Sequence, residues 1–137
     1  MIILAVDLGH KRTGIAVSDR TELLASSLGV IEEPNDHKLV RKIAEQATET
    51  HAERIVVGLP KNMDGTEGEA AQRARALADE IGRVTGLSVV MQDERGTTLT
   101  AHEVLSDGGV YGRKRKQRVD AVAASIILQN YLDSRRS

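Results

Sequence analysis

Cysteine is absent from the 137 residues, so neither a disulfide nor a thiolate-bound zinc can form, and any metal must be held by oxygen or imidazole. Phenylalanine and tryptophan are also missing, and tyrosine occurs only as Tyr111 and Tyr131. That nearly excludes the aromatic platform on which single-stranded bases stack, and it leaves the core to be built from Val, Ile, Leu and Ala. Long apolar runs are lacking too. The stretch from Ile2 to Val6 is broken by Asp7 and is too short for a signal segment or a membrane span, so a cytoplasmic protein with no membrane partner is expected. There is no G-x-S-x-G, no Walker A and no cysteine nucleophile, and His10, His37, His51 and His102 show no tight ligand spacing.

What is present is the composition of one soluble globular domain spanning 1–137, with 40% apolar and 28% charged residues. Net charge is only -1, but it is unevenly spread. Arg113, Lys114, Arg115, Lys116 and Arg118 place five of the 19 basic residues within six positions, leaving 14 basic against 20 acidic residues elsewhere. A compact cationic segment on an acidic body suits one localised contact with a polyanion, although such a run is also compatible with a solvated loop.

Along the chain, Ile2 to Val6 and Gly14 to Ser18 read as two antiparallel strands around a glycine-bracketed turn. Ser27 to Glu32 is a weaker third strand, ended by the Pro34, Asn35, Asp36 turn signal. Asp36 is placed to cap a helix to His51 whose apolar face is Leu39, Val40, Ile43, Ala44 and Ala47. Arg54 to Leu59 is a buried-looking strand, and Pro60 to Gly65 a polar loop. A helix follows with the stripe Ala70, Ala74, Leu77, Ala78 and Ile81, stopped by Gly86, and then a strand from Ser88 to Gln92. This strand, helix, strand unit makes the two strands parallel. Thr97 is placed to cap a short helix through Leu105, Asp107 to Gly112 reads as a loop leading into the basic run, and a last helix spans about Val119 to Leu132. The order predicts an α/β domain with a five-stranded mixed sheet and flanking helices, whose site lies where parallel strands end.

Three acids stand out against that frame. Asp7 ends a buried strand in DLGHKRTG, where a charge is costly unless paired or bound to a cation, or serves as a turn cap. DERGTT directly follows a parallel strand, so Asp93 and Glu94 reach the same sheet edge as Asp7, unless they only favour the start of the next helix. Asp120 is a lone acid in VDAVAASIILQNYL and either caps the first turn or answers to a partner. Carboxylates gathered on one edge repel one another, and divalent cations are the usual remedy; oxygen-only ligation suits Mg²⁺ or Mn²⁺ and metal-assisted phosphodiester hydrolysis. Alternation puts Val90, Gln92 and Glu94 on one face and Val89, Met91 and Asp93 on the other, without saying which carries the site.

DLGHKRTGIAVSD, GLPKNMDG, DERGTT and VDAVAASIILQNYL, in this order and spacing, resemble the YqgF family, also called RuvX. The resemblance covers essentially the whole chain. It implies a ribonuclease H-like fold related to RuvC resolvases, and a bacterial cytoplasmic nuclease linked to maturation of the 5′ end of the small-subunit ribosomal RNA precursor. Holliday junction resolution is the alternative. Carried over, Asp7 matches the first-strand ligand, Glu94 the second acid and Asp120 the acid of the final helix; these are the expected catalytic residues and Mg²⁺ or Mn²⁺ ligands. Arg12 matches the first motif, Lys61, Asn62, Asp64 and Gly65 are expected along the substrate path, and Arg95, Thr97 and the 113–118 run join them as substrate-binding candidates. In RuvC-type enzymes the second acid directly follows the fourth strand, whereas here that strand ends in Gly58, Leu59, Pro60 and the acid comes one strand later. The expected partner is nucleic acid, precursor rRNA or branched DNA, met by a monomer or weak homodimer. Two rivals have other chemistry: the two-domain nucleotide clamp of actin-like ATPases and sugar kinases, which one short domain cannot build alone, and a non-catalytic nucleic-acid-binding module.

Overall fold

The computed structural model describes residues 1–94 and 112–136, with the backbone alone for 112–118. The strands are β1 (Ile3–Asp7), β2 (Arg12–Ser18), β3 (Ala25–Glu32), β4 (Arg54–Leu59) and β5 (Ser88–Asp93). They form one sheet in the order β3-β2-β1-β4-β5. β1 to β3 pair antiparallel, while β4 lies parallel to β1 and β5 parallel to β4, as the crossover pattern requires.

Alternation along the strands divides the core between two faces. Leu4, Val6, Ile15, Ile55, Val57 and Leu59 face α1 (Asp36–Thr50) and α2 (Glu69–Thr85). Ile3, Ala5, Ala16 and Val56 face α3 (Gly112–Arg136), where Ile127, Leu128 and Leu132 are fully buried. Each of these three aliphatic side chains contributes about 1.5–3 kcal/mol by leaving water, so this one helix holds the second face. At the far end of the sheet Glu22 accepts from the Met1 amine at 3.1 Å and from Arg135 at 2.8 Å, joining the N-terminus to the last turn of α3.

Three details differ from the sequence reading. Asn35, not Asp36, caps α1: its side chain accepts from Lys38 N, and Asp36 is the first helical residue. Asn35 has the extended backbone a cap needs, with φ -89° and ψ 122°. In α2 it is Ala71, not Ala70, that is buried with Ala74, Leu77, Ala78 and Ile81, because the helix starts at Glu69 and its inner face passes through 71, 74, 78 and 81. Gly86, with φ 70°, ends α2 as expected. The largest difference lies in the last helix, which begins at Gly112 and not Val119, so the basic run is helical backbone. Arg and Lys are good helix formers and need no apolar stripe to join a helix whose later turns are packed. The expected short helix from Thr97 to Leu105 lies outside the described residues, and so does the expected loop from Asp107 as far as Tyr111.

Candidate active site

The parallel register brings the carboxyl ends of β1, β4 and β5 to one edge. Asp7 is the last residue of β1 and, two residues beyond the buried Ala5, faces α3. Glu94 follows β5 directly, with its backbone N–H on Leu59 O at 3.1 Å. Because Val90 packs on the α3 side and Val89 and Met91 on the other, Glu94 shares the face of Asp7, while Asp93 is exposed at the strand end.

Reaching Asp7 from β5 means crossing β4, and the sheet makes room for it. Gly58 lies between them, and a Cβ built there would stand 2.8 Å from Glu94 Oε2 and 2.7 Å from Ile127 Cδ1. The Glu94 carboxyl therefore occupies the space a side chain at 58 would take. That explains how an acid delivered one strand late still joins β1. The sequence reading named Gly58 only as part of the strand end and gave it no role, although a glycine inside an aliphatic strand marks a close approach.

Asp120 arrives from the other side. A Cβ on Gly14 would lie 2.0 Å from the Asp120 carbonyl oxygen, so α3 rests on the backbone of β2 at the residue paired with Asp7. With α3 starting at Gly112, Asp120 sits more than two turns inside the helix and does not cap it. Its carboxylate instead accepts from Arg12 Nε at 3.2 Å. The sequence, with 108 positions between them, carried no signal for this pair.

Charge in this cluster is strained. Glu94 is pushed up to about 9 by burial, by the negative charge of Asp7 and by donating a hydrogen bond to it, with Asp93 adding a little. Asp7 is raised by burial and by Asp120, against the lowering effect of the hydrogen bond from Glu94. Burial raises Asp120 as well, more than Arg12 lowers it. At neutral pH Glu94 is thus an acid sharing its proton with Asp7. Among the described residues no three His, Asp or Glu side chains stand close enough together to hold a metal ion, and the Asp120 carboxylate is engaged by Arg12.

Other candidates are placed unevenly. Arg12 joins the acids. Lys61 pairs with Glu67 as an isolated bridge. Asn62 closes its own loop, donating to Thr66 Oγ1 at 2.8 Å, and Asp64 accepts from Thr66 N at 2.9 Å. Among the described residues neither the Lys61 nor the Asn62 side chain bonds to the carboxylates; the Asn62 amide is taken up by Thr66 and the Lys61–Glu67 bridge is one of backbone. Arg95 and Thr97 lie outside the described residues, as do the side chains of Arg113, Lys114, Arg115, Lys116 and Arg118. Arg73, not foreseen, donates from α2 to Gly9 O at 2.9 Å and to Asp36 Oδ1 at 2.9 Å, tying the β1–β2 turn to the start of α1. Beside that turn are two open clefts. One, of about 260 Å³, is lined by Gly9, His10, Lys11, Arg12 and Asp120. The other, of about 400 Å³, is lined by Lys11, Arg12, Glu32 and Pro34.

A family described as "RuvX: Holliday junction resolvase" matches residues 1–134. The chain belongs to the RuvX family. A RuvX relative from Agathobacter rectalis, named "Putative pre-16S rRNA nuclease", is 40% identical over 136 residues, covering 97% of this chain and 95% of its own. One of the same name from an Anaeromyxobacter species is 41% identical over 137 residues, the whole of both chains. Among solved structures, Thermus thermophilus RuvC in complex with Holliday junction substrate superposes with a TM-score of 0.64 at 17% identity, over 99% of this chain and 96% of that one. The Fowlpox virus resolvase with Holliday junction DNA gives 0.61 at 15%, over all of both. The RuvX chain thus has the ribonuclease H-like fold these resolvases share.

Proposed function

We propose that the chain is a divalent-metal-dependent nuclease that hydrolyses phosphodiester bonds at Asp7, Glu94 and Asp120, acting on the 5′ end of the 16S ribosomal RNA precursor. The observation that carries this reading is the half-buried Asp7–Glu94 pair, held over Gly58 with Asp120 nearby: three acids from three separate elements at one edge of the sheet. The family and the name of its relatives support the reaction class and the RNA substrate.

An all-oxygen donor set fits a hard cation, so Asp7, Glu94 and Asp120 would hold Mg²⁺ or Mn²⁺. Bound there, such an ion supplies charge stabilisation for the attacking and leaving oxygens of a phosphodiester. The chain's own residues do the rest. Glu94 gives up the proton it shares with Asp7, leaving two full carboxylates, and Gly58 keeps its carboxyl in place. Arg12 lines the open cleft it shares with Asp120 and orients the sugar–phosphate backbone. The 113–118 run adds further cationic contact along the strand. No described helix is long and apolar enough to cross a membrane; a nuclease of precursor rRNA would act in the bacterial cytoplasm, here as a monomer or weak homodimer.

Junction resolution is the second reading, favoured by the family's description. Incubating the protein with Mn²⁺ and either a precursor RNA carrying the 16S 5′ leader or a four-way DNA junction separates the two. Asp7→Asn is expected to reduce cleavage of the preferred substrate to background while leaving the melting curve intact. Full turnover by that variant would overturn the assignment.

A further inference from the structure

Resting on that reading, we infer that Arg12 is an exchangeable latch: it holds Asp120 in the free protein and lets go when a nucleic-acid phosphate takes its guanidinium, so that backbone and cation bind cooperatively. Three observations converge on this. The pair uses one hydrogen bond, Nε to Oδ2 at 3.2 Å, and not the two-pronged fork that makes an Arg–carboxylate contact durable. The side chains are 31% and 29% exposed, so water and ligand reach them. The terminal amino groups of Arg12 have no bond among the described residues, and the side chain lines both clefts beside the β1–β2 turn.

Asp120 cannot give the same lone pairs to Arg12 and to a cation. Its backbone is fixed against Gly14, beside Asp7, so its carboxyl group is what must turn. Among the described residues no three ligand-type side chains are gathered, and Asp120 is the acid of the three that an arginine engages. A phosphodiester offers Arg12 two oxygens in the geometry its fork prefers, whereas the contact with Asp120 here engages Oδ2 alone. A strand in the cleft would therefore unlatch Asp120, and a cation on the acids would free Arg12 for the strand. Coupling of this kind is reciprocal, with the same factor in both directions.

The test uses the full chain and Ca²⁺, a hard cation that takes the same oxygen ligands. Ca²⁺ affinity is measured calorimetrically without nucleic acid. Affinity for a short single-stranded RNA is measured by fluorescence anisotropy with and without Ca²⁺ at fixed ionic strength. In the wild-type protein Ca²⁺ should tighten RNA binding by at least about fivefold, the lower end of ordinary coupling. Arg12→Gln should bind Ca²⁺ about fivefold more tightly than wild type in the absence of RNA and lose the tightening. Lys11→Gln removes the same charge one position away without touching Asp120, and should keep wild-type Ca²⁺ affinity and coupling. Arg12→Lys, which keeps the charge and loses the Nε donor, should follow Arg12→Gln and serves if the Gln variant melts early.

The latch is overturned if Arg12→Gln binds Ca²⁺ no more tightly than wild type, or if Lys11→Gln raises Ca²⁺ affinity equally, which would mean unspecific charge removal. Failure of the underlying reading looks different. If Asp7→Asn and Asp120→Asn both bind Ca²⁺ as the wild type does, the acids hold no cation and the latch falls with them. If those two lose Ca²⁺ while Arg12→Gln is unchanged, the metal site stands and only the latch is removed.

Discussion

Replacing Gly58 by alanine should separate activity from stability. The added methyl would meet Ile127 Cδ1 at 2.7 Å, Glu94 Oε2 at 2.8 Å and Glu94 Cδ at 3.0 Å, all well inside the roughly 3.5–4.0 Å of an unstrained contact. Both neighbours touch with the far ends of flexible side chains, so each can retreat by about 1 Å without moving backbone. Overpacking of this kind costs about 1–3 kcal/mol, and the lost chain entropy of the unfolded state returns about 0.4–1 kcal/mol. The net destabilisation is about 0–2.5 kcal/mol, which leaves a folded domain. What is lost is the seat of Glu94, and about 1 Å of misplacement at a reacting centre costs on the order of a hundredfold in rate. Thermal melts and Mn²⁺-dependent cleavage of the same preparation test this directly. Wild-type rate with a wild-type melt would mean that Glu94 does not need the gap, and the argument from Gly58 would fail.

Glu94→Gln should lose cleavage by orders of magnitude while Asp93→Asn, altering an exposed residue on the other face, retains most of it; single-turnover rates decide, and the reverse pattern would exchange their roles. Because the folded pKa of Glu94 is raised from 4.5 to about 9, the folded state binds the extra proton in that window, so metal-free stability should fall as pH rises from about 5 to about 9. The Gln variant should flatten this slope, as read from denaturant midpoints across pH. Replacing the five basic residues of 113–118 by serine should reduce the slope of log K against log salt by about 0.7–0.9 per lost phosphate contact, read from filter-binding affinities between low and moderate salt. An unchanged slope there would mean the run meets no phosphate.

The sheet was largely legible because its signals are local. Gly9 and Gly14 bracket the first turn, Pro34 and Asn35 end the third strand, and Gly86 stops α2, each a breaker beside an apolar run. The crossover rule then oriented β4 and β5 and brought Asp7 and Glu94 to one edge. Alternation paired Glu94 with Val90 but left the face open, since the choice depends on α3, an element well beyond β5 in the chain. The start of α3 was misread because Arg113 to Arg118 carry no apolar period, and the start of α1 because Asn35 and Asp36 are both good caps. Gly58 required knowing that Glu94 crosses β4, and the Arg12–Asp120 contact depends on tertiary packing alone.

Among the described residues, one face of the sheet is covered by a helix translated after every strand it packs on. Ile3, Ala5, Ala16 and Val56 are made early, yet their cover, Ile127, Leu128 and Leu132, emerges only with the later turns of α3. The growing chain can close its other side over α1 and α2 while this apolar face waits bare. Asp120 comes with the same helix. With Asp120 in its proposed role, the acid set is incomplete through most of the chain's own synthesis and is closed only when α3 has left the ribosome and docked.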